Sequence, residues 1–213
     1  MSNCVADFTV GGKYRVLSWN MIGTVCLREE LSYTAIDVDF TDKNAHRNII
    51  INDDFGAIMS SISHSGMLLA SKGTDTGMED EEMDDFISPE DDEDVEMAGA
   101  DNEEKKRKRH AHIQFKAFNT YKNIKDWHFA LKNGEQVECL ALGSGWAAAA
   151  TDYGYIRIFS SEGVQRTIIC QGTPFVTMAG YENLLAVVYH AGPAVYGCQA
   201  LKLKIFDMTP TGN

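Results

Sequence analysis

The sequence predicts an all-β fold, and three observations carry the prediction. Short apolar runs recur at nearly even spacing from Glu135 to His190, each about the length of an ordinary strand. Each run is cut off by turn chemistry: Gly143-Ser144-Gly145, Asp152-Tyr153-Gly154, Ser161-Glu162-Gly163, Gly172-Thr173-Pro174 and Gly180-Tyr181-Glu182-Asn183. No helix-length periodic segment lies between them, which leaves a sandwich, a barrel or a propeller. The order favours a β-propeller, because Asp152-x-Gly154 followed by Ile156-Arg157-Ile158-Phe159 is the tight turn and third strand of a WD-type blade.

Taken in chain order, Tyr14–Asn20 and Gly23–Leu27 form a hairpin around Met21-Ile22. Ala35–Phe40 alternates apolar and acidic residues, as a strand with one wet face does. Thr41 to Asn52 is polar and is left unassigned. Phe55–Ser63 and Met67–Ala70 open a blade, turned at His64-Ser65-Gly66, and His112–Phe118 with Asp126–Leu131 complete it. Val137–Leu142, Trp146–Thr151, Tyr155–Phe159 and Thr167–Cys170 make a full four-stranded blade. Ala147–Ala150 is the best helix-forming run in the chain, but Gly145, Asp152 and Gly154 bound it too tightly for an independent helix. It is read as a strand near the propeller axis, where blades crowd and small side chains are needed. Phe175–Ala179, Leu184–Tyr189 and Leu201–Phe206 begin a further blade, with Lys202 and Lys204 facing away from Leu201, Leu203 and Ile205.

Thr74 to His110 interrupts the pattern. Glu79–Glu104 holds fifteen acidic residues and no basic one, and Lys105–Arg109 holds five basic ones. That segment therefore carries ten of the twelve net negative charges and leaves the rest of the chain at −2. It cannot bury enough apolar surface to offset its ordering entropy and is expected to be disordered. Because strands of one blade lie on both sides, it is a loop insertion and not a linker, and lengthening a loop costs only about 0.6 kcal/mol per doubling. The expected organisation is first propeller strands over 1–73, the acidic then basic insertion over 74–110, remaining blades over 111–208 and a tail over 209–213. That makes a partial propeller of about three WD-like four-stranded blades, against about four to eight in closed rings. If each open end left about 200 Å² bare, about 10 kcal/mol of burial would be forgone at about 25 cal/mol per Å². The chain is therefore expected to be a fragment or truncated gene model, or one that closes its ring by association.

GSGWAAAATDYGYIRIFSSEGVQR and GTPFVTMAGYENLLAVVYHAGP, with YRVLSWNMIGTV and AIDVDFTDKNAHRN upstream, resemble the second propeller (the SepB-type domain) of the acidic nucleoplasmic DNA-binding, chromosome-transmission-fidelity and minichromosome-loss family. The similarity covers most of Tyr14 to Phe206 outside the charged segment. It implies a non-enzymatic, homotrimeric nuclear hub that links the replicative helicase to DNA polymerase alpha and supports sister-chromatid cohesion. The family's upstream WD-repeat propeller, its helical module and its HMG box have no counterpart in this sequence, so client docking and direct DNA binding are assigned to no residue.

Other chemistry is sparse. Cys4, Cys26, Cys139, Cys170 and Cys198 are scattered without a CxxC pair and read as buried reduced thiols of a cytosolic or nuclear protein. Met1–Val10 lacks the basic n-region and apolar core of a secretory signal, and no run is long enough for a membrane helix. Gly143-Ser144-Gly145 lacks nucleophile-elbow spacing, and no phosphate-cradling motif is present. No catalytic, cofactor-binding or metal residue is expected. His110 and His112 read as solvated loop residues, His64 and His190 as turn residues, and Trp19, Trp127 and Trp146 as packing. Two short motifs stand out. Lys105, Lys106, Arg107, Lys108 and Arg109 form a compact basic cluster suited to a nuclear-import receptor, or to balancing the acidic run beside it. Ser88 precedes Pro89 and an acidic run, which suits proline-directed or acid-directed kinases. The runner-up function is an unrelated nuclear propeller scaffold whose acidic loop binds basic partners such as histones.

Overall fold

A computed structural model describes residues 14–44, 46–73, 110–118 and 124–209, and within them the chain forms fifteen strands and no helix. These are β1 (Tyr14–Trp19), β2 (Gly23–Glu29), β3 (Thr34–Phe40), β4 (Ile49–Asn52), β5 (Ala57–Ile62), β6 (Gly66–Ser71), β7 (His112–Ala117) and β8 (Trp127–Ala130). They continue as β9 (Val137–Leu142), β10 (Trp146–Thr151), β11 (Tyr155–Ser160), β12 (Gln165–Cys170), β13 (Phe175–Tyr181), β14 (Leu184–Val195) and β15 (Cys198–Asp207). Consecutive strands pair antiparallel into four meanders: β1-β2-β3-β4, β5-β6-β7-β8, β9-β10-β11-β12 and the three-stranded β13-β14-β15.

The meanders stand face to face in a row, as propeller blades do. One core cluster joins the first and second sheets through Leu17, Val25, Ile36, Val38, Ile62 and Leu69. A second joins the second and third through Leu68, Ile113, Phe115, Leu140 and Phe159, and a third joins the third and fourth through Ile156, Ile158, Met178, Leu185 and Val187. The repeat shows in the backbone as well. Each first strand skips one residue against its second strand, at Leu17, Ile58, Glu138 and Val176. Such a bulge bends the strand and adds twist. It recurs at the same place in the second, third and fourth sheets and two residues nearer the turn in the first, marking four copies of one unit, three complete and the last three-stranded among the described residues.

The alanine run shows how tertiary context overrides helix propensity. All of Trp146–Thr151 is buried, and Ala148 sits opposite Ala141 on one side and Ile158 on the other. Side chains alternate across a strand, so Ala147 and Ala149 join the cluster facing the second sheet while Ala148 and Ala150 join the one facing the fourth. β10 is thus packed on both faces between two neighbouring sheets, with methyl groups filling the space that remains. β10 is the second strand of its sheet, between β9 and β11.

Several boundaries also differ from expectation. Ile49–Asn52 is a strand because Ile49 and Ile51 pack against the first core cluster, a signal masked by the polar residues before it. β14 runs on to Val195 and β15 starts at Cys198, so the hairpin is longer than its apolar runs. Pro193 is tolerated because β13 stops pairing at Tyr189, leaving only β15 beside that part of β14. Trp127 and Trp146 pack as expected; Trp19 is 77 % exposed at the end of β1.

Candidate interaction surface

Among the described residues no group of three His, Cys, Asp or Glu side chains comes together in a way that could hold a metal ion. The ionisable groups that do meet are structural. Glu135 is 2 % exposed and receives Arg157 through two contacts, Nε at 3.0 Å and an Nη at 2.5 Å, while the other Nη donates to Gln165 Oε1 at 2.9 Å. This buried pair, which the sequence pattern did not reveal, ties the entry of β9 to β11. Asp53 closes the β4–β5 connection by accepting from the backbone N–H groups of Phe55, Gly56 and Ala57. Asp53 and Asp54 also line a cleft of about 290 Å³ with Ile36, Ile51, Phe55 and Lys116, whose Nζ is paired with Asp126 at 3.0 Å.

What the fold does present is surface. The insertion separates β6 from β7, which pair with Ala70 opposite Ile113. Its base is tied down by Gly73 N–H donating to Gln136 Oε1 and by His112 N–H donating to Ser71 Oγ. Lys105–Arg109 and Ser88 lie outside the described residues. His112 belongs to β7, half-buried with its ring edge toward Phe55, and is not a solvated loop residue. Burial holds its imidazole below the ordinary value, with His110 and His128 adding to the shift. His190 likewise lies within β14, at a register shift, and not at its end.

The two outer sheets differ in character. On the other face of β3, half-buried Asp37 accepts from Arg28 Nε at 2.9 Å while its Oδ1 is buried without a hydrogen-bond partner, and exposed Asp39 accepts from Asn48. Arg28 also contacts Glu30. Burial, then Asp39 and Asp37, push the Cys26 thiol up. Of the cysteines described only Cys139 is buried; Cys26 is half-buried, and Cys170 and Cys198 are exposed on outer strands, which corrects the expectation of uniformly buried thiols. On the fourth sheet, Leu201, Leu203 and Ile205 are 44 %, 60 % and 63 % exposed, opposite His190, Val188 and Ala186 in register. Beyond them the β14–β15 hairpin projects to an exposed tip at Val195, Tyr196 and Gly197, where Tyr196 adopts a left-handed φ of 50°. Exposed apolar patches of this kind often mark contact sites. The tip was legible only as a two-residue Tyr-Gly turn between apolar residues, a weak hairpin signal.

Comparison with known proteins agrees with this architecture. Relatives include WD repeat and HMG-box DNA-binding protein 1 of Mus musculus, 28 % identical over 195 residues, covering 92 % of this chain and 15 % of the relative. Protein ENHANCER OF LHP1 1 of Arabidopsis thaliana is 26 % identical over 200 residues, covering 93 % and 18 %. Minichromosome loss protein 1 of Schizosaccharomyces pombe is 23 % identical over 201 residues, covering 93 % and 21 %. The chain thus spans about a fifth or less of the length of these curated relatives. The family model described as minichromosome loss protein, Mcl1, middle region matches residues 5–212, and with four bulged, face-packed meanders spanning that match the chain belongs to this family.

Proposed function

We propose that the chain is a scaffold portion of a nuclear replication-fork adaptor, acting by protein contact and not by catalysis. The observation that carries this reading is the match to the Mcl1 middle region along almost the whole chain. In this reading the longer protein is a homotrimeric hub connecting the replicative helicase with DNA polymerase alpha and supporting sister-chromatid cohesion. The blades supply a rigid body, and contact with clients falls to modules elsewhere in the polypeptide. Direct DNA contact is not assigned to this segment, because outside Glu79–Arg109 the net charge is only −2 and gives no broad attraction to phosphates. Purification of the endogenous protein from S-phase nuclei tests this. Recovery of replicative helicase and polymerase alpha subunits supports the adaptor; their absence from a preparation that retains the protein overturns it.

Lys105–Arg109 serves nuclear import in this reading, and Ser88 is a kinase target within the acidic segment. Alanine at all five basic positions is expected to move a tagged full-length protein to the cytoplasm; unchanged nuclear accumulation refutes the assignment. Absence of phosphate at Ser88 in cycling cells removes the second. The fifteen acidic residues of Glu79–Glu104 favour one alternative, a histone-binding scaffold. Histone binding that maps to that segment and disappears with added salt, without replication partners, selects it.

A further inference from the structure

The joints between sheets are not filled alike. Between the second and third sheets, Ile113 and Phe115 of β7 and Trp127 and Phe129 of β8 pack in one apolar cluster with Phe159 of β11. Side chains alternate across a strand, so the opposite face of β7 carries His112, Gln114 and Lys116, and His128 of β8 stands opposite Gln114 on that face. This polar face looks toward the first sheet, whose own contribution is apolar: Ile36 of β3, Ile51 of β4 and Phe55 of the connection that follows. Near β1 and β5 the joint is closed by Leu17, Val25 and Met67. Farther out an apolar wall meets a polar one, and the cleft of about 290 Å³ stays open between them.

The floor of the cleft is Ile36 and Leu69, each 1 % exposed, with half-buried Ile51 and Phe55 beside them. Its polar groups carry a surplus of negative charge. Lys116 is neutralised by Asp126 at 3.0 Å, while both oxygens of Asp53 accept from backbone N–H groups and leave its charge without a cation. Asp54 is exposed and makes no hydrogen bond or ion pair among the described residues. Gln114, half-buried in the facing wall, likewise has no partner among the described residues. An apolar slot thus has an acidic end and an amide with free bonding capacity. β4 pairs only with β3, so its other edge is open beside the cleft. An extended segment laid along such an edge gains backbone hydrogen bonds and sends alternate side chains to one side.

We propose that this cleft between the first and second sheets is a docking site for a short extended peptide of a partner protein, one that carries an apolar side chain close to a lysine or arginine. The apolar side chain enters between Ile51 and Leu69, the cation meets Asp54, and the Gln114 amide bonds the peptide backbone. Burial of the apolar side chain supplies most of the affinity. The exposed ion pair adds little strength and sets which peptides are accepted, because Asp53 and Asp54 repel an acidic or phosphorylated segment. The site is separate from the client contacts assigned to other modules, and the proposal does not rest on the replication reading.

Selection of phage-displayed random heptapeptides on the full chain tests it, with a soluble peptide of the sequence Glu79–Glu104 added to absorb those that merely follow charge. The expected consensus is an apolar residue with a lysine or arginine one to three positions away. One such peptide, synthesised with a fluorescent label, binds the chain in an anisotropy titration. Asp54→Lys weakens it at least tenfold, whereas Glu162→Lys, the same charge change at an exposed turn of the third sheet, leaves it within twofold. Gln114→Trp fills the cleft and abolishes binding, while unchanged slow hydrogen exchange in β10 reports that each variant is folded. No consensus, an acidic consensus, binding that survives Gln114→Trp, or equal losses from Asp54→Lys and Glu162→Lys each overturns the proposal.

Discussion

Leucine at Ala148 and, separately, at Ala149 tests the packing logic of the third sheet. Both alanines are 0 % exposed, and they point to opposite faces of one strand. Ala148 shares its cluster with Met178 and Leu185 of the fourth sheet, and Ala149 with Leu68 and Ile113 of the second. Each substitution adds three carbons where the neighbours leave room for a methyl group. Overpacking of a filled core costs about 1–3 kcal/mol. At about 2–4 °C per kcal/mol for a chain of this size, Tm falls by roughly 2–12 °C. The direction of the damage is more telling than its size. Hydrogen exchange is expected to speed up in β13 and β14 for Ala148→Leu, and in β6 and β7 for Ala149→Leu. If both variants loosen the same sheet, or neither shifts Tm, then β10 is not packed between two blades and the reasoning fails.

Removing one member of the buried pair, Glu135→Ala, strands the Arg157 guanidinium and is expected to cost about 3–5 kcal/mol in denaturant unfolding. The double change Glu135→Leu with Arg157→Leu recovers most of it, whereas equal loss in single and double variants argues against a coupled pair. Gly163→Ala forces a left-handed φ of 83° on a residue whose Cβ would lie 2.6 Å from the Trp127 ring. Gly172→Ala carries a similar φ of 71° into open space. The first should therefore lower Tm clearly more than the second, and equal losses would show that Trp127 does not pack there. For His112 the folded imidazole resists protonation relative to its ordinary value of 6.5. As pH falls through that value the unfolded chain takes up the proton first, so stability declines until the folded pKa is passed. His112→Phe should flatten this part of a Tm-against-pH curve, and an unaltered curve refutes the burial argument.

Much of this fold was written in local signals. Glycine-bearing turns between apolar runs located most strands to within a residue or two, and the break in composition at Thr74 set the acidic segment apart from them. What stayed hidden depends on contacts between distant residues. Ile49–Asn52 becomes a strand only because the first core cluster receives it, and Trp19 is exposed although its residue type suggests burial. The Glu135–Arg157 pair joins residues 22 apart and leaves no trace in either neighbourhood. The long β14–β15 hairpin crosses Ala191-Gly192-Pro193, which reads as a stop until the lack of a β13 neighbour is seen. Of the surface motifs, the acidic tract, the basic run and Ser88 were legible as composition alone. The bare face of the fourth sheet was legible as the alternation of Leu201, Leu203 and Ile205 with Lys202 and Lys204, but not as exposed.

The replication-adaptor account is tested most directly by capture of the endogenous protein on newly synthesised DNA, comparing a short nucleotide-analogue pulse with a chase. The account requires enrichment on pulse-labelled DNA together with the replicative helicase, and loss of the protein after the chase as forks move on. Equal recovery in pulse and chase, in step with histones, would contradict it and select the chromatin-bound acidic scaffold instead.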